Sequence, residues 1–168
     1  MIFAQLQAQA PYKHGIGAMV GSFNGFTYKT FVSNHFAIGI DLGVQFIRTD
    51  GEYFRSVDLY SLALNPNFMY EGHFTAGLYG FVGGGFSLAY NWANDYGFLM
   101  WMAWGDFDWV CDLGKFGINA IMGLEYKFNI PLALQFDFRP GYALLFNSTP
   151  RVWNHFDWNL CLSVRYAF

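Results

Sequence analysis

The chain has 168 residues, of which 54% are hydrophobic, 22% are aromatic and only 12% are charged, and its formal net charge is −3. This length fits one domain, and the charged fraction is well below the roughly 25% that is usual for soluble domains. The composition excludes a nucleic-acid-binding surface of clustered Lys and Arg. No segment approaches the ~20 consecutive apolar residues of a membrane-spanning helix, so a closed β-barrel is the remaining way to cross a bilayer.

The N-terminal segment Met1–Ala10 resembles the end of an export signal. Ala8-Gln9-Ala10 has the A-x-A pattern of a signal-peptidase site, although the segment lacks a basic start and its apolar part is short. Pro11 would directly follow a cleavage after Ala10, so cleavage after Ala8 is an alternative. We predict a signal remnant over residues 1–10 and a barrel domain over residues 11–168; the alternative for the first segment is a frayed terminus.

In the first half of the chain, four segments alternate between apolar residues and small or polar residues with a period of two. This period is the signal of a β-strand rather than a helix. Their second face is rich in Gly and carries Lys29, Asp41 and Glu71. The segments lie within residues 15–21, 26–33, 36–46 and 60–71.

Four further segments in the second half alternate in the same way. Ile121 is the exception, because it interrupts a face that otherwise carries small or polar residues. The last segment is the clearest, with a large apolar side chain at every second position from Phe156 to Phe168. The segments lie within residues 78–92, 115–128, 132–146 and 156–168.

The connections between these segments differ in length in an alternating order. Short periplasmic turns and longer outer loops are typical of outer-membrane barrels. The pattern predicts an all-β fold, a transmembrane antiparallel up-and-down β-barrel of about eight strands. The short connections are Ser33–His35, Gly72–Ala76 and Asn129–Pro131, the long ones are Thr49–Val57, Ala93–Gly114 and Asn147–His155, and the tight Ser22–Gly25 turn is the exception.

Volume decides which face points outward. The interior of a barrel of eight strands is just wide enough for side chains to fill it. The apolar set holds dozens of large side chains, which exceed that space, whereas the set of Gly, Ala, Ser and Asn fits. We therefore predict that the apolar set faces lipid, with aromatic girdles at both ends of the strands; a soluble barrel of lipocalin type, with the opposite orientation, is the alternative.

Several segments resemble those of small outer-membrane barrel proteins of Bacteroidota, which share the OmpA/OmpX-like barrel architecture. Leu162–Phe168 is similar to the C-terminal signal read by the barrel-assembly machinery, with Val164, Tyr166 and Phe168 as its apolar and aromatic positions. The resemblance implies an outer-membrane location, contact with outer-membrane lipids, and the assembly machinery as a partner during biogenesis. Members of this family mostly lack an assigned activity. The other similar segments are Gly25–Phe31, Gly123–Lys127 and Phe136–Pro140.

With this orientation, charged side chains of both signs face the lumen. A single buried charge costs several kcal/mol, so we predict that these side chains pair across the lumen and form a salt-bridged plug. The alternative is a gated ion path in which the pairs exchange. The predicted lumen charge network consists of Lys29, Asp41, Glu71, Glu125, Lys127, Asp137, Arg139, Asp157 and Arg165.

The longest predicted loop is unusually apolar. One interpretation is that its residues extend the outer girdle or fold over the barrel mouth. The other is a docking surface for a protein or a lipid, because large apolar patches usually mark interaction sites. The candidate surface consists of Tyr96, Phe98, Met100, Trp101, Trp104 and Trp109.

No motif for catalysis, a cofactor or a metal stands out. The histidines lack metal-ligand spacing, and we expect Cys111 and Cys161 to be unpaired thiols because they fall on strands that are not neighbours. Ser148, His155 and Asp157 share one outer region, but the G-x-S-x-G motif is absent. We expect no enzyme activity and no cofactor.

The favoured function is therefore a structural or interaction component of the outer membrane, as a subunit of an envelope complex with a protein partner. A transporter or channel for small hydrophobic solutes is the first alternative, and it would need an apolar lumen or a gap in the wall. An outer-face lipid-modifying enzyme is a distant alternative.

Overall fold

The computed structural model describes residues 10–49, 57–93, 112–147 and 152–168. Each strand pairs antiparallel with the next one along the chain, and the last strand closes on the first. The closed, all-β, up-and-down architecture predicted from the alternation is confirmed. The strands are β1 (His14–Gly21), β2 (Phe23–Phe31), β3 (Phe36–Thr49), β4 (Val57–Thr75), β5 (Leu78–Ala93), β6 (Asp112–Lys127), β7 (Leu132–Asn147) and β8 (Val152–Ala167).

The two faces of the strands differ sharply in exposure. On β7, Phe136 is 50% exposed while the adjacent Asp137 is fully buried. On β8, Val164 is 44% exposed while Arg165 is only 2% exposed. Because successive side chains of a strand point to opposite faces, the apolar set covers the outside and the polar set fills the lumen. The soluble alternative, with its apolar set inside, is therefore wrong.

The lumen also contains large apolar side chains, although the prediction had assigned the inward face mainly to small and polar residues, with Ile121 as the exception. Phe31 of β2, Met69 of β4, Phe81 of β5 and Ile121 of β6 pack together in one buried cluster. A second cluster includes Met19 and Phe23. The interior thus combines apolar clusters with charged side chains, rather than being filled by small and charged side chains alone.

Three short connections lie at one end of the barrel, which we call the turn end. They span residues 32–35, 76–77 and 128–131. The predicted turn Gly72–Ala76 is wrong in its bounds, because β4 continues to Thr75 and only Ala76 and Gly77 join it to β5. Both have positive φ, 28° and 85°, as two-residue hairpin turns require, and Gly77 adopts this conformation without a steric penalty.

The longer connections lie at the opposite, loop end, and they span residues 50–56, 94–111 and 148–151. The strands continue further into them than predicted, since β6 begins at Asp112 and β8 begins at Val152. The predicted Ser22–Gly25 turn is shorter in the structure, because Ser22 alone separates β1 from β2. There the Asn24 side chain holds the turn, accepting from the Gly21 N–H at 3.2 Å and donating to the Gly21 carbonyl at 3.1 Å.

Of the predicted signal remnant, only Ala10 belongs to the described residues. Among the described residues, no helix is long and apolar enough to cross a membrane.

Two adjacent glycines of β5 offer a matched test of the wall packing. A Cβ at position 83 would lie 1.9 Å from the Phe68 carbonyl oxygen, whereas a Cβ at position 84 would meet no heavy atom closer than 3.4 Å. We expect Gly83→Ala to lower the free energy of unfolding by about 1–3 kcal/mol through overpacking, and Gly84→Ala to change it by less than ~0.5 kcal/mol. Urea titration in lipid vesicles measures both; equal stability of the two variants would contradict this packing.

Candidate functional site

The turn-side half of the lumen contains a buried ion cluster. Lys29 of β2 donates from Nζ to Oε2 of Glu71 on β4 at 2.5 Å and to Oε2 of Glu125 on β6 at 2.9 Å. Arg165 of β8 donates from Nη1 to the same oxygen of Glu125 at 3.2 Å. All four side chains are at most 2% exposed. Alternation points each of them inward, and the closed barrel then brings strands distant in sequence within contact.

The N-terminal segment seals this cluster from the turn end. The Tyr12 hydroxyl donates to Oε2 of Glu125 at 3.1 Å, and its ring packs edge-on against Phe31 at a centroid distance of 5.2 Å. The Lys29 ammonium lies 5.0 Å from the ring centroid of Phe31 and 5.3 Å from that of Phe81. Aromatic faces attract a desolvated cation, so these rings help to hold the buried charge.

A second ion cluster lies nearer the loop end. Arg139 of β7 donates from Nε to Asp137 at 2.6 Å and from Nη1 to Asp41 of β3 at 2.6 Å. Asn67 of β4 donates a further hydrogen bond to Asp41 at 3.0 Å. Charge-assisted hydrogen bonds of this kind are among the strongest in proteins.

One glutamine joins the two clusters into a continuous network. The Gln135 carbonyl oxygen accepts from Nη1 of Arg165 at 2.6 Å, and its amide donates to Oδ2 of Asp137 at 2.8 Å. Thr27 also accepts from Arg165, at 3.0 Å from Nη2. Because the whole set is buried, each bond acts at low dielectric and the network rigidifies the centre of the barrel.

A small cavity lies on the loop side of Arg139. Its volume is about 30 Å³, and since a water needs about 10–15 Å³ of such space, it offers room for only a few waters. Its polar lining includes Gln45, Asn65, Lys115, Asn119, Arg139 and Asn159.

The structure brings seven of the nine predicted lumen charges into this network, all of them except Lys127 and Asp157. The expectation for Lys127 was wrong, because its Nζ donates to the backbone carbonyls of Phe128 and Ile130 at 2.7 and 2.8 Å. It lies at the turn end, where the turn carbonyls are nearer than any inward carboxylate of the described network. The Asp157 side chain lies outside the described residues, although its backbone pairs with Gly141 of β7.

The predicted lumen charge network does not include Lys115, although this cation also points inward. Lys115 of β6 is 5% exposed and lines the cavity. The alternation in the sequence identifies Lys115 as an inward residue, because it shares the inward face with Gly117 and Asn119. With Lys115 included, the buried charged side chains among the described residues comprise four cations and four anions: Lys29, Lys115, Arg139, Arg165, Asp41, Glu71, Glu125 and Asp137.

The other candidate residues lie on the outer wall, in the buried interior or outside the described residues. Val164, Tyr166 and Phe168 of the predicted assembly signal are 44%, 56% and 59% exposed on the outer wall. Cys161 is a buried free thiol. The candidate surface of the longest loop (Tyr96, Phe98, Met100, Trp101, Trp104 and Trp109), together with Cys111, Ser148 and the side chain of His155, lies outside the described residues. Within the described ranges, no three His, Cys, Asp or Glu side chains gather as metal ligands would.

Solved structures of bacterial outer-membrane barrels match nearly the whole chain. Neisserial surface protein A superposes with a TM-score of 0.57 and 15% identity over 92% of this chain and 93% of that one. The outer membrane protein W of E. coli matches with a TM-score of 0.53 and 14% identity over 95% and 99% of the two chains. The N-terminal β-barrel domain of Pseudomonas aeruginosa OprF matches with a TM-score of 0.50 and 15% identity over 92% and 95%.

At these identities the likeness establishes the fold. The chain has the fold of the eight-stranded outer-membrane β-barrel proteins, which is the class that the sequence predicted. No family model matches the chain, and no curated protein matches it.

The ion network predicts a large difference between two cationic side chains. Arg139→Met leaves Asp41 and Asp137 buried without their cation, so we expect a loss of about 3–5 kcal/mol in the free energy of unfolding. Lys127→Met removes only contacts to turn carbonyls at a partly exposed site, and we expect a loss below ~1 kcal/mol. Chemical unfolding in lipid vesicles measures both, and a loss for Lys127→Met as large as that for Arg139→Met would contradict the network.

Proposed function

We propose that this chain is an integral protein of a bacterial outer membrane whose lumen is a closed, salt-bridged plug. Its role is that of a structural or interaction component, as a subunit of an envelope complex. The observation that carries the proposal is the combination of an apolar outer wall with a buried network of ion pairs across the lumen.

Two ion clusters and two apolar clusters together fill the lumen of the described strands. Arg139 also donates to the sulfur of Met19 in the second apolar cluster. A passage for solutes would have to break several buried ion pairs, each of which costs several kcal/mol to separate. The barrel interior therefore favours stability over conduction.

The outer wall supports a lipid environment. Exposed aliphatic side chains cover the middle of the strands, and exposed aromatic residues lie towards their ends, as Tyr70 and Tyr166 do at the turn end and Tyr90 and Trp158 do towards the loop end. Water would disfavour so large an apolar surface. The resemblance of Leu162–Phe168 to an assembly signal supports delivery by the barrel-assembly machinery, and the other resembling segments support a source in Bacteroidota.

The alternative of a hydrophobic-solute transporter receives less support. It would need an apolar lumen, whereas the middle of the lumen carries ion pairs and amides, and the cavity of about 30 Å³ holds only a few waters.

The plug predicts a specific response to loss of the central cation. We expect Arg139→Ala to lower the melting temperature without creating a stable conductance in planar bilayers, because the Lys29 cluster still closes the turn-side half of the lumen. A large and stable conductance in this variant would instead identify Arg139 as part of a gate.

The interaction role predicts a particle larger than the chain itself. After mild detergent extraction of the outer-membrane fraction, we expect the 19.2 kDa chain to migrate with protein partners, and we expect photocrosslinks to protein from positions Trp101 or Trp104. Recovery of the single chain alone, with lipid adducts only, would contradict the proposed role.

A further inference from the structure

The barrel wall is much lower at β1 and β2 than at their neighbours. β1 and β2 meet at Ser22, and β8 pairs with β1 only from Cys161 to Ala167. β3 pairs with β2 only as far as Gln45. Beyond these points Val152–Asn159 of β8 and Phe46–Thr49 of β3 continue towards the loop end, and among the described residues no strand lies between them. We call this gap the notch.

A polar contact closes the base of the notch. The Gln45 side-chain amide donates to the Asn159 side-chain oxygen at 3.0 Å and so joins β3 to β8 directly above the first hairpin. Ser22 ends the pairing on the β8 side, because its N–H donates to the Leu160 carbonyl at 3.0 Å and its hydroxyl accepts from the Leu160 N–H at 3.2 Å. Among the described residues, the pairing of β8 on its β1 side therefore ends at Leu160.

The hydrogen-bond pattern identifies the backbone groups that face the notch. Phe168 and Leu160 bond towards β1, whereas the N–H of Ala167 bonds to Pro131 on the β7 side. Because these directions alternate along an antiparallel strand, even-numbered residues of β8 direct their N–H and C=O towards β1. Above Leu160 the same alternation directs those of Trp158 and Phe156 into the notch.

This edge lacks three common protections of exposed strand edges, namely Lys, Pro and a bulge. Native edges are commonly protected by Lys, Pro or a bulge, but Val152–Asn159 contains neither Lys nor Pro, and its register with β7 is continuous. Phe156 and Trp158 are 63% and 54% exposed on the outer wall. Aromatic side chains of this kind mark the membrane interface, where unpaired backbone groups become increasingly costly towards the hydrocarbon.

The width of the notch indicates what would fill it. Since β1 and β2 both end below this level, the gap between β8 and β3 in the described part of the chain corresponds to three strand spacings, or about 14 Å. Lipid lacks the ordered row of donors and acceptors that the edge requires. A second copy would insert in the same direction, so its β8 would run parallel to this one and would leave the β3 side uncovered.

We infer that the notch is a docking site for a β-hairpin of another protein, which pairs with β8 on one side and β3 on the other. The inference rests on the proposed interaction role and specifies where the partner binds. Strand addition of this kind derives its affinity from main-chain hydrogen bonds. Binding at the notch therefore depends on the backbone hydrogen-bonding groups of β8 rather than on its side chains.

The experiment uses a photoreactive phenylalanine analogue at Trp158 of the full chain in native membranes. A probe at Val164, whose strand is paired on both sides, is the control position. Phe156→Pro removes one notch-facing N–H without removing a bond to β7, and Phe156→Ala keeps that N–H. We expect a crosslink to another polypeptide from position 158 and none from position 164, and we expect the crosslink to be retained in Phe156→Ala and lost in Phe156→Pro.

Amide exchange of the purified natural chain provides a second measurement that needs no variant to fold. We expect the amides of Phe156 and Trp158 to exchange faster than those of Asp157 and Asn159. Protection of the notch-facing amides in the isolated chain would overturn the inference, as would lipid adducts alone, adducts between two copies, or an undiminished crosslink in Phe156→Pro. Protein adducts from Trp104 but none from Trp158 would overturn the docking site and leave the interaction role intact.

Discussion

The interior of the barrel depends on the hydrogen bonds and ion pairs that the Glu125 carboxylate accepts. Its Oε2 atom accepts from Lys29 of β2, Arg165 of β8 and the Tyr12 hydroxyl of the N-terminal segment. One buried oxygen thus joins β6 to two other strands and to the segment that seals the turn end. A carboxylate with no solvent exposure is stable only with such partners. Two of these partners, Lys29 and Arg165, are buried cations that in turn need an anion. Mutual dependence of this kind makes the centre of the barrel rigid.

The narrow lumen explains why the chain is arranged with its apolar side chains outside. An eight-strand barrel has room inside for small residues and a limited number of long ones. Pairing cations with anions fills that space, and Gln135 links the two clusters by accepting from Arg165 and donating to Asp137. The large aromatic and aliphatic side chains then occupy the outer wall, where a hydrocarbon environment accepts them without cost.

Uneven strand lengths make the barrel wall lower at the first hairpin than at the neighbouring strands. The first hairpin turns at Ser22, while β8 continues to Val152 and β3 to Thr49. Because ion pairs and apolar side chains fill the described interior, the proposed interaction role directs attention to the rim and the wall. The exposed strand edge above Ser22 is specific to this chain's hairpin lengths and not to the general architecture.

The sequence by itself determined the strand number, their antiparallel order and the face to which most side chains belong. These follow from a period of two and from connection lengths, which are local properties of the chain. The same parity placed Lys115 and Ile121 on the inward face. Only the tertiary structure decided that Lys115 is buried beside the cavity while Lys127, on the same face of β6, donates to turn carbonyls. It also decided that Lys29 shares Glu125 with Arg165 and that the first hairpin leaves a notch. The tilt and stagger of a closed barrel set the height at which residues from distant strands meet, and no local pattern in the chain encodes that height.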